Sequence, residues 1–263
     1  WTTRPAGHVF VVAVEGDYTD AINVGSALCT VHGLVPEGGA KNPARRDGMG
    51  TVMLDGTFTC GRLPDWYVQA VGSGTGGIAA WEMAERLLRD GRWGGTLPRL
   101  LLSQNLPFTP MADAWQDGRR DLIAEDFEDA KSRIAEVWAD VLTNRKPPYD
   151  VRGGLRDALV ATDGVMDSVS NAEAQAAARL FAGAEGCDLD PAAAVATASL
   201  LRAAERGTIG ADDTVLLNIT GGGYERVTKD YTLNPVQPAC TVPAGAGAGA
   251  VKDQLSGWMK DYA

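Results

Sequence analysis

A strand, a glycine-rich turn and a helix follow one another without a break, and this order constrains the fold more than any other feature. Residues 66–71 form an apolar run typical of a buried strand, and residues 78–88 have the apolar spacing of an amphipathic helix. Between them stands Gly72-Ser-Gly-Thr-Gly-Gly77. Backbone N–H groups at such a turn, with the positive end of the helix dipole, bind anions and most often phosphate. The segment therefore predicts a phosphate-binding turn.

Further apolar runs and helical patterns alternate along the chain. Strands are predicted at residues 8–14, 100–103 and 213–219, and helices at residues 17–31, 45–61, 129–142, 170–184 and 190–204. The helix near residue 170 begins at a capping box of Ser170 and Glu173, and the next one begins at Asp190-Pro191. This alternation predicts an α/β fold with a mostly parallel sheet and helices on both faces.

Composition excludes several classes of partner and site. The net charge is −10, from 24 basic and 34 acidic residues, which argues against nucleic acid or an anionic membrane as the main partner. With only His8 and His32, a histidine-based triad or a multi-histidine metal site is not expected. The four cysteines lack a C-x-x-C spacing, so we expect reduced, mostly buried thiols in a cytoplasmic protein. Neither a signal peptide nor a membrane span is predicted.

Three ligands could explain the glycine-rich turn, and a ligand-free tight turn is the simplest alternative. Gly72, Gly74 and Gly77 fit the G-x-G-x-x-G pattern of dinucleotide sites, but residues 103–105 offer no carboxylate at the end of the next strand. A Walker loop is excluded because no Gly-Lys-Ser/Thr follows. The third candidate is the phosphate of pyridoxal phosphate.

Five motifs in one order favour pyridoxal phosphate. The stretch from Asn42 to Thr51 resembles the N-P-x-R-x-x-G-x-x-T pattern of threonine synthases, and residues 71–77 occupy the place of their phosphate loop. Three more segments are similar to later motifs of that family: residues 104–110, 190–194 and 218–223. The chain thus resembles the fold-type II, tryptophan synthase β-like enzymes that depend on pyridoxal phosphate.

Within these enzymes the chain is similar to the cysteate synthases, a family related to threonine synthase. The segments that carry this resemblance extend to about Asn234 and include residues 16–22, 35–40, 45–55, 104–108 and 141–149. The resemblance implies a β-replacement that converts O-phospho-L-serine and sulfite to L-cysteate and phosphate. Threonine synthase-like chemistry on O-phosphohomoserine, or β-replacement with another nucleophile, remains an alternative.

The resemblance also implies which residues contact the cofactor. Its phosphate would be held by Gly72, Ser73, Gly74, Thr75, Gly76 and Gly77. Thr220 would lie at the pyridine nitrogen, although its hydroxyl could instead cap the end of the preceding strand. At the place of a second threonine in many relatives, this chain has Ile78.

Candidate substrate ligands follow from the same comparison and from side-chain chemistry. Arg45 and Arg46 could hold the substrate's phosphate or sulfite, because guanidinium matches oxyanions, or could form a solvated helix face. Gln104 and Asn105 are candidate pocket residues. Thr143 and Asn144 could line the pocket or only turn the chain.

No lysine of the chain matches the family motif for the Schiff base, and Lys41 is the only one in a conspicuous motif. We therefore expect the Schiff-base lysine, and hence the catalytic residue, outside this chain, which begins at Trp1 like a piece of a longer protein.

The resemblance also implies a division into domains. Residues 1–35 would end the smaller N-terminal domain, 36–235 would form the larger phosphate-binding domain, and 236–263 would form a partly flexible tail with a short docking helix at 253–262. The partners implied are the N-terminal part and a second copy, as a homodimer. The alternative is a lysine-less, non-catalytic cofactor-binding subunit.

Overall fold

In the computed structural model, the described residues are 9–32, 34–252 and 257. They divide into two units, of which the larger is Gly38–Gly223. The smaller unit combines the described residues before Gly38 with those after Gly223. The domain division with boundaries after residues 35 and 235 stays a prediction for the whole protein.

The described strands and helices are numbered along the chain. The strands are β1 (Val12–Glu15), β2 (Trp66–Ala70), β3 (Arg99–Asn105), β4 (Val165–Val169), β5 (Val215–Leu217) and β6 (Cys240–Pro243). The α-helices are α1 (Tyr18–His32), α2 (Pro43–Cys60), α3 (Thr75–Asp90), α4 (Pro110–Gln116), α5 (Ala130–Ala135), α6 (Leu155–Ala161), α7 (Asn171–Glu185), α8 (Pro191–Glu205) and α9 (Tyr224–Asp230). Short 3-10 turns cover Gly39–Lys41, Ala124–Phe127 and Asp140–Leu142.

The larger unit is built on a four-stranded sheet in the order β4-β3-β2-β5. All neighbouring strands are parallel, and Trp66 of β2 lies beside Arg99 of β3 on one side and Val215 of β5 on the other. β2 is buried over its whole length, as expected for a central strand that is covered on both faces. Parallel pairing brings the carboxyl ends of β2, β3 and β5 to one edge, where ligands bind in such sheets.

Helices cover both faces of this sheet. On one face, Tyr67 and Leu102 pack with buried residues of α2, α3 and α6. On the other face, Val68 and Leu101 pack with Ala203 of α8. Because alternate strand residues point to opposite faces, each buried strand contributes to both cores. The predicted α/β architecture with helices on both faces is confirmed.

Helices α7 and α8 begin where the sequence predicts. The Ser170 hydroxyl accepts from the Glu173 N–H at 3.3 Å, and the Glu173 carboxylate accepts from the Ser170 N–H at 2.8 Å. Asp190 caps α8, because its carboxylate accepts from the Ala193 N–H at 2.7 Å. These bonds satisfy N–H groups that have no partner within a helix, so both caps are confirmed.

The helix predicted over residues 129–142 is wrong in length. Only α5 is α-helical there, with the 3-10 turn Asp140–Leu142 after it, and the two backbone N–H groups of Trp138 and Ala139 bond to side chains from other segments. Asn171 accepts from the Trp138 N–H at 3.1 Å, and Asn105 accepts from the Ala139 N–H at 3.0 Å. These distant acceptors compete with the helical carbonyls, and they interrupt the helix at Trp138 and Ala139, before the 3-10 turn Asp140–Leu142.

Strand β4 was not predicted, because Asp167 and Ser168 interrupt its apolar pattern. Both are matched by Arg202 of α8, which pairs with the Asp167 carboxylate at 2.5 Å and donates to the Ser168 carbonyl at 2.7 Å. The Asp167 carboxylate of this edge strand is thus paired with a cation that lies 35 residues further along the chain.

The smaller unit contains a two-stranded parallel sheet. β1 pairs with β6, and Val12 lies beside Cys240. Val24, Val242 and Val251 form its buried core. The predicted first strand began at residue 8, whereas β1 runs from Val12 to Glu15, and the expected flexible tail contains β6. The docking helix predicted at 253–262 lies outside the described residues, apart from residue 257.

The cysteines are free, as predicted, but the prediction that most are buried is wrong. Cys60 and Cys187 are exposed, and Cys29 and Cys240 are half-buried. Cys60 is the last residue of α2 and Cys187 follows the end of α7, so both lie where helices meet solvent. Within the described part of the chain, no helix is long and apolar enough to cross a membrane.

Candidate functional site

The glycine-rich turn directly joins β2 to α3. We call residues Gly72–Gly77 the cup. The helix begins at Thr75, three residues before the predicted start, because Gly74 adopts a left-handed conformation with φ 77° and serves as the N-cap. Gly74 to Gly77 are buried, so the first turn of α3 forms part of the cup itself. This start places the positive helix end inside the turn.

Hydrogen bonding within the cup leaves donors available. The Ser73 and Thr75 hydroxyl oxygens lie 2.8 Å apart, and the Ile78 N–H donates to the Gly74 carbonyl at 3.0 Å. Among the described residues, the backbone N–H groups of Gly76 and Gly77 donate to no protein acceptor. Two hydroxyls and a run of N–H groups at a helix N-terminus match the acceptor oxygens of a phosphate.

The floor of the cup is packed too closely for side chains. A Cβ on Gly76 would lie 2.3 Å from Gln69 Oε1, and one on Gly77 would lie 2.8 Å from Leu102 Cδ1. A Cβ on Gly72 would meet the Leu142 Cα at 3.0 Å. Glycine at these positions therefore lets the turn lie directly on the sheet and on the segment before Thr143.

A hydrogen-bonded chain of side chains, buried at Tyr67 and Gln69 and half-buried at Asn218, lies beneath the cup. The Tyr67 hydroxyl donates to Gln69 Oε1 at 2.7 Å, and Asn218 Nδ2 donates to the Tyr67 oxygen at 2.8 Å. Tyr67 is 1% exposed and Gln69 is 6% exposed. Burial raises the pKa of Tyr67, against a smaller opposite effect of the Asn218 hydrogen bond, so the phenol stays neutral.

Thr220 lies in the turn that follows β5, the neighbour of β2. The Asn218 N–H donates to the Val68 carbonyl at 2.9 Å and extends the pairing of the two strands. The turn is anchored by the Asp190 N–H, which donates to the Gly221 carbonyl at 3.0 Å. The Thr220 residue itself is exposed. Both glycine turns therefore leave adjacent strands at the same edge of the sheet.

Gln104 and Asn105 lie at the end of β3 and are both fully buried. Gln104 Oε1 accepts from the backbone N–H groups of Met111 and Ala112 at 2.9 and 3.1 Å, which caps α4. Its Nε2 has no partner among the described residues. Asn105 bonds through Nδ2 to the Val169 carbonyl at 2.9 Å and through Oδ1 to the Ala139 N–H. These contacts stabilise the strand end, and substrate binding by either residue stays a prediction.

Thr143 and Asn144 are buried beside the cup, because the preceding Leu142 contacts Gly72. The Thr143 hydroxyl donates to the Asp140 carbonyl at 2.6 Å. Asn144 Oδ1 accepts from the Lys146 N–H at 2.8 Å. Both contacts turn the chain, which was one of the two predicted roles.

Arg45 and Arg46 lie in the first turn of α2, away from the cup. Arg46 pairs with Glu82 at 2.9 Å and also donates to the Ala40 carbonyl. Glu82 is seven residues past Thr75, about 10 Å along α3 at a rise of 1.5 Å per residue. Arg45 is exposed on α2. Oxyanion binding by these arginines stays a prediction, and for Arg46 it requires release from Glu82.

Lys41 ends the 3-10 turn before α2 and is exposed. No contact between Lys41 and the cup exists among the described contacts, and its role stays a prediction. No group of three or more histidine, cysteine or acidic side chains in the described ranges is placed to hold a metal ion.

The sequence did not identify Tyr67, Gln69 or Asn218 as site residues. The available signal was Gln69, a polar residue in an otherwise apolar strand. The donor set of the cup, which combines two hydroxyls with buried N–H groups, fits the phosphate of a bound cofactor.

Comparison with known proteins gives one family and a set of relatives. The model of the family described as "Pyridoxal-phosphate dependent enzyme" matches residues 4–221. Cysteate synthase of Methanoculleus marisnigri is 59% identical over 263 residues, which cover 99% of this chain and 61% of that protein. Cysteate synthase of Methanoregula boonei is also 59% identical, over 100% of this chain and 62% of that protein. The chain thus spans about three fifths of the length of these relatives.

Two solved structures share the fold. The processed form of threonine deaminase isoform 2 from Solanum lycopersicum matches with a TM-score of 0.53 and 15% identity, over 89% of this chain and 54% of that chain. A fungal L-serine ammonia-lyase from Rhizomucor miehei matches with a TM-score of 0.50 and 17% identity, over 71% and 56%. At these identities the likeness concerns the fold alone.

Proposed function

Because the chain belongs to the pyridoxal-phosphate dependent enzymes, we propose that its cup, Gly72–Gly77, binds the phosphate of that cofactor in a cysteate synthase. The fold is the predicted fold-type II architecture, and the cofactor of the family is pyridoxal phosphate. The proposed reaction converts O-phospho-L-serine and sulfite to L-cysteate and phosphate.

The observation that carries this proposal is the identity of 59% with relatives named cysteate synthase, along nearly the whole chain. That identity far exceeds the identity of 15–17% to the deaminase and the ammonia-lyase, which share only the fold. The relatives are longer than this chain, so the activity is proposed for the protein that contains it.

The proposal assigns a role to each part of the cup and to the Thr220 turn. The N–H groups of Gly74–Gly77 and the dipole of α3 stabilise a dianion, and the Ser73 and Thr75 hydroxyls donate to its oxygens. Thr220, in the turn after β5, would offer a neutral hydroxyl to the pyridine nitrogen of the bound cofactor. When bound, the cofactor delocalises negative charge from the substrate Cα, which allows the β-substituent to leave.

The reaction exchanges one bond at the substrate Cβ. The C–O bond to phosphate breaks, and its electron pair leaves with the phosphate. The C–S bond then forms with an electron pair of sulfite. Because one anion leaves as another enters, cations near the substrate are needed, and Arg45 is the exposed candidate on α2.

The proposal includes partners and location. The residue that forms the Schiff base is proposed to lie in the N-terminal part of the same enzyme, and the enzyme is proposed to be a homodimer. Four free cysteines favour a reducing compartment, and we place the enzyme in the cytoplasm.

The test uses the full-length protein, loaded with pyridoxal phosphate. We expect phosphate release from O-phospho-L-serine that depends on sulfite, with L-cysteate identified by mass spectrometry. Release from O-phosphohomoserine instead, with threonine as product, would support the threonine synthase alternative. A protein that binds the cofactor but acts on neither substrate would contradict the proposal and support a non-catalytic subunit.

A further inference from the structure

The side chains beneath the cup connect the two ends of the proposed cofactor site. Asn218 lies two residues before Thr220, and Gln69 lies against Gly76 of the cup. Tyr67 joins them through hydrogen bonds of 2.8 Å to Asn218 and 2.7 Å to Gln69. The turn after β5 is thereby linked to the first turn of α3 through side chains alone.

The hydrogen bonds have one direction. Asn218 Nδ2 donates to the Tyr67 oxygen, so the Tyr67 hydroxyl proton is directed to Gln69 Oε1. With Oε1 occupied, the amide N–H groups of Gln69 remain as its donors. A Cβ on Gly76 would lie 2.5 Å from Gln69 Nε2, which shows how closely the amide lies under the turn. Gln69 Oε1 would lie still closer to that Cβ, at 2.3 Å, so the whole amide lies directly under the first turn of α3 and the hydrogen bond to Tyr67 fixes its place there.

We propose that Tyr67, Gln69 and Asn218 are positioning residues that orient the cup towards a phosphate and hold it in register with the Thr220 turn. This inference rests on the proposed function, because it concerns the same cofactor site. These residues act through Gly76 and through the strand ends.

If Tyr67, Gln69 and Asn218 only stabilised the core and had no influence on the ligand, a different result would be expected. Loss of a core hydrogen bond lowers the stability of the fold and weakens every ligand alike. Loss of an orienting bond weakens the phosphate contact selectively. Pyridoxal, which lacks the phosphate, separates these two effects, because the ratio of its Kd to the Kd of pyridoxal phosphate measures the contribution of the cup.

The experiment measures this ratio by equilibrium dialysis of the full-length protein, freed of cofactor, against each compound. Tyr67→Phe keeps the ring but removes both bonds of the network. The matched control is Tyr149→Phe, because Tyr149 is equally buried and its hydroxyl donates to the Arg119 carbonyl at 3.2 Å. We expect Tyr67→Phe to lower the ratio about tenfold, the order expected when an oriented buried hydrogen bond is lost. The control should keep the ratio within about twofold, a smaller change than one lost hydrogen bond produces.

A second variant keeps the inference testable if Tyr67→Phe does not fold. Gln69→Glu preserves the shape and the acceptor for Tyr67, but it replaces the amide donors under Gly76 by a carboxylate oxygen. We expect this variant to lower the ratio at least as far as Tyr67→Phe.

The outcomes separate this inference from the proposed function. If the wild-type protein binds pyridoxal and pyridoxal phosphate equally well, the proposed phosphate site itself fails. If the wild-type protein prefers pyridoxal phosphate and both network variants keep that preference, only the positioning role is refuted.

Discussion

Replacement of Gly76 by alanine tests how closely the cup depends on its floor. Gly76 lies in the first turn of α3, where alanine is a good helix former, so its backbone conformation tolerates the change. The obstacle is space, because the new Cβ would lie 2.3 Å from Gln69 Oε1 and 2.5 Å from Nε2. Either the Gln69 amide or the start of the helix must move.

The expected cost follows from the contacts that such a movement breaks. Displacement of Gln69 breaks its 2.7 Å hydrogen bond with Tyr67 and leaves polar groups without partners in a buried site. Unsatisfied buried groups cost about 1–3 kcal/mol. Overpacking costs about 1–3 kcal/mol, and the gain in helix propensity returns roughly 1 kcal/mol. We therefore expect the free energy of unfolding to fall by about 3 kcal/mol.

The assay is urea unfolding of the full-length protein, together with the Kd for pyridoxal phosphate. The matched control is Gly183→Ala in α7, because Gly183 is exposed and its Cβ would meet nothing within 4 Å. That control should gain about 0.5–1 kcal/mol, the usual effect of this substitution within a helix. If Gly76→Ala matches the stability gain of the control and binds the cofactor normally, the packing argument for the cup is refuted.

Three further predictions concern contacts outside the cup. Burial raises the pKa of Asp126, but hydrogen bonds from Arg119 and the Ile123 N–H outweigh it and lower the pKa below its ordinary value. The free energy of unfolding that this carboxylate contributes is therefore present above the unfolded pKa of about 4 and is lost as the pH falls through the folded pKa. Asp126→Asn should flatten the acid side of a plot of unfolding free energy against pH. Ser170→Ala removes the cap of α7 and should lower the free energy of unfolding by about 1 kcal/mol in urea, whereas an unchanged midpoint would contradict the capping role. Asn105→Ala should lower the free energy of unfolding in urea by about 2–3 kcal/mol, because the Ala139 N–H loses its acceptor; an unchanged free energy of unfolding would contradict this structural role.

The parts of the fold that could be predicted are those specified by local sequence. The buried run of β2, the glycine turn and the caps at Ser170 and Asp190 each depend on residues a few positions apart. Strand β4 could not be predicted, because the charge of its Asp167 is paired with Arg202 from a distant helix. The same holds for Trp138 and Ala139, whose backbone N–H groups donate to Asn171 and Asn105 instead of continuing the helix.

In the candidate site, too, local features could be predicted from the sequence and contacts between distant residues could not. The cup could be predicted because it is made of backbone and of the start of one helix. The Tyr67–Asn218 bond could not be predicted, since its partners are 151 residues apart and meet only through the parallel pairing of β2 with β5. Gln104 was identified as polar and well placed, but the sequence did not show that its oxygen caps α4.

A crystal structure of the full-length protein with pyridoxal phosphate tests the central claim most directly. Our account predicts that the phosphate oxygens lie within hydrogen-bond distance of the backbone N–H groups of Gly74–Gly77 and of the Ser73 or Thr75 hydroxyl. It also predicts the Thr220 hydroxyl at the pyridine nitrogen. A phosphate group bound elsewhere, with the cup closed on itself or filled by another group, would contradict the account.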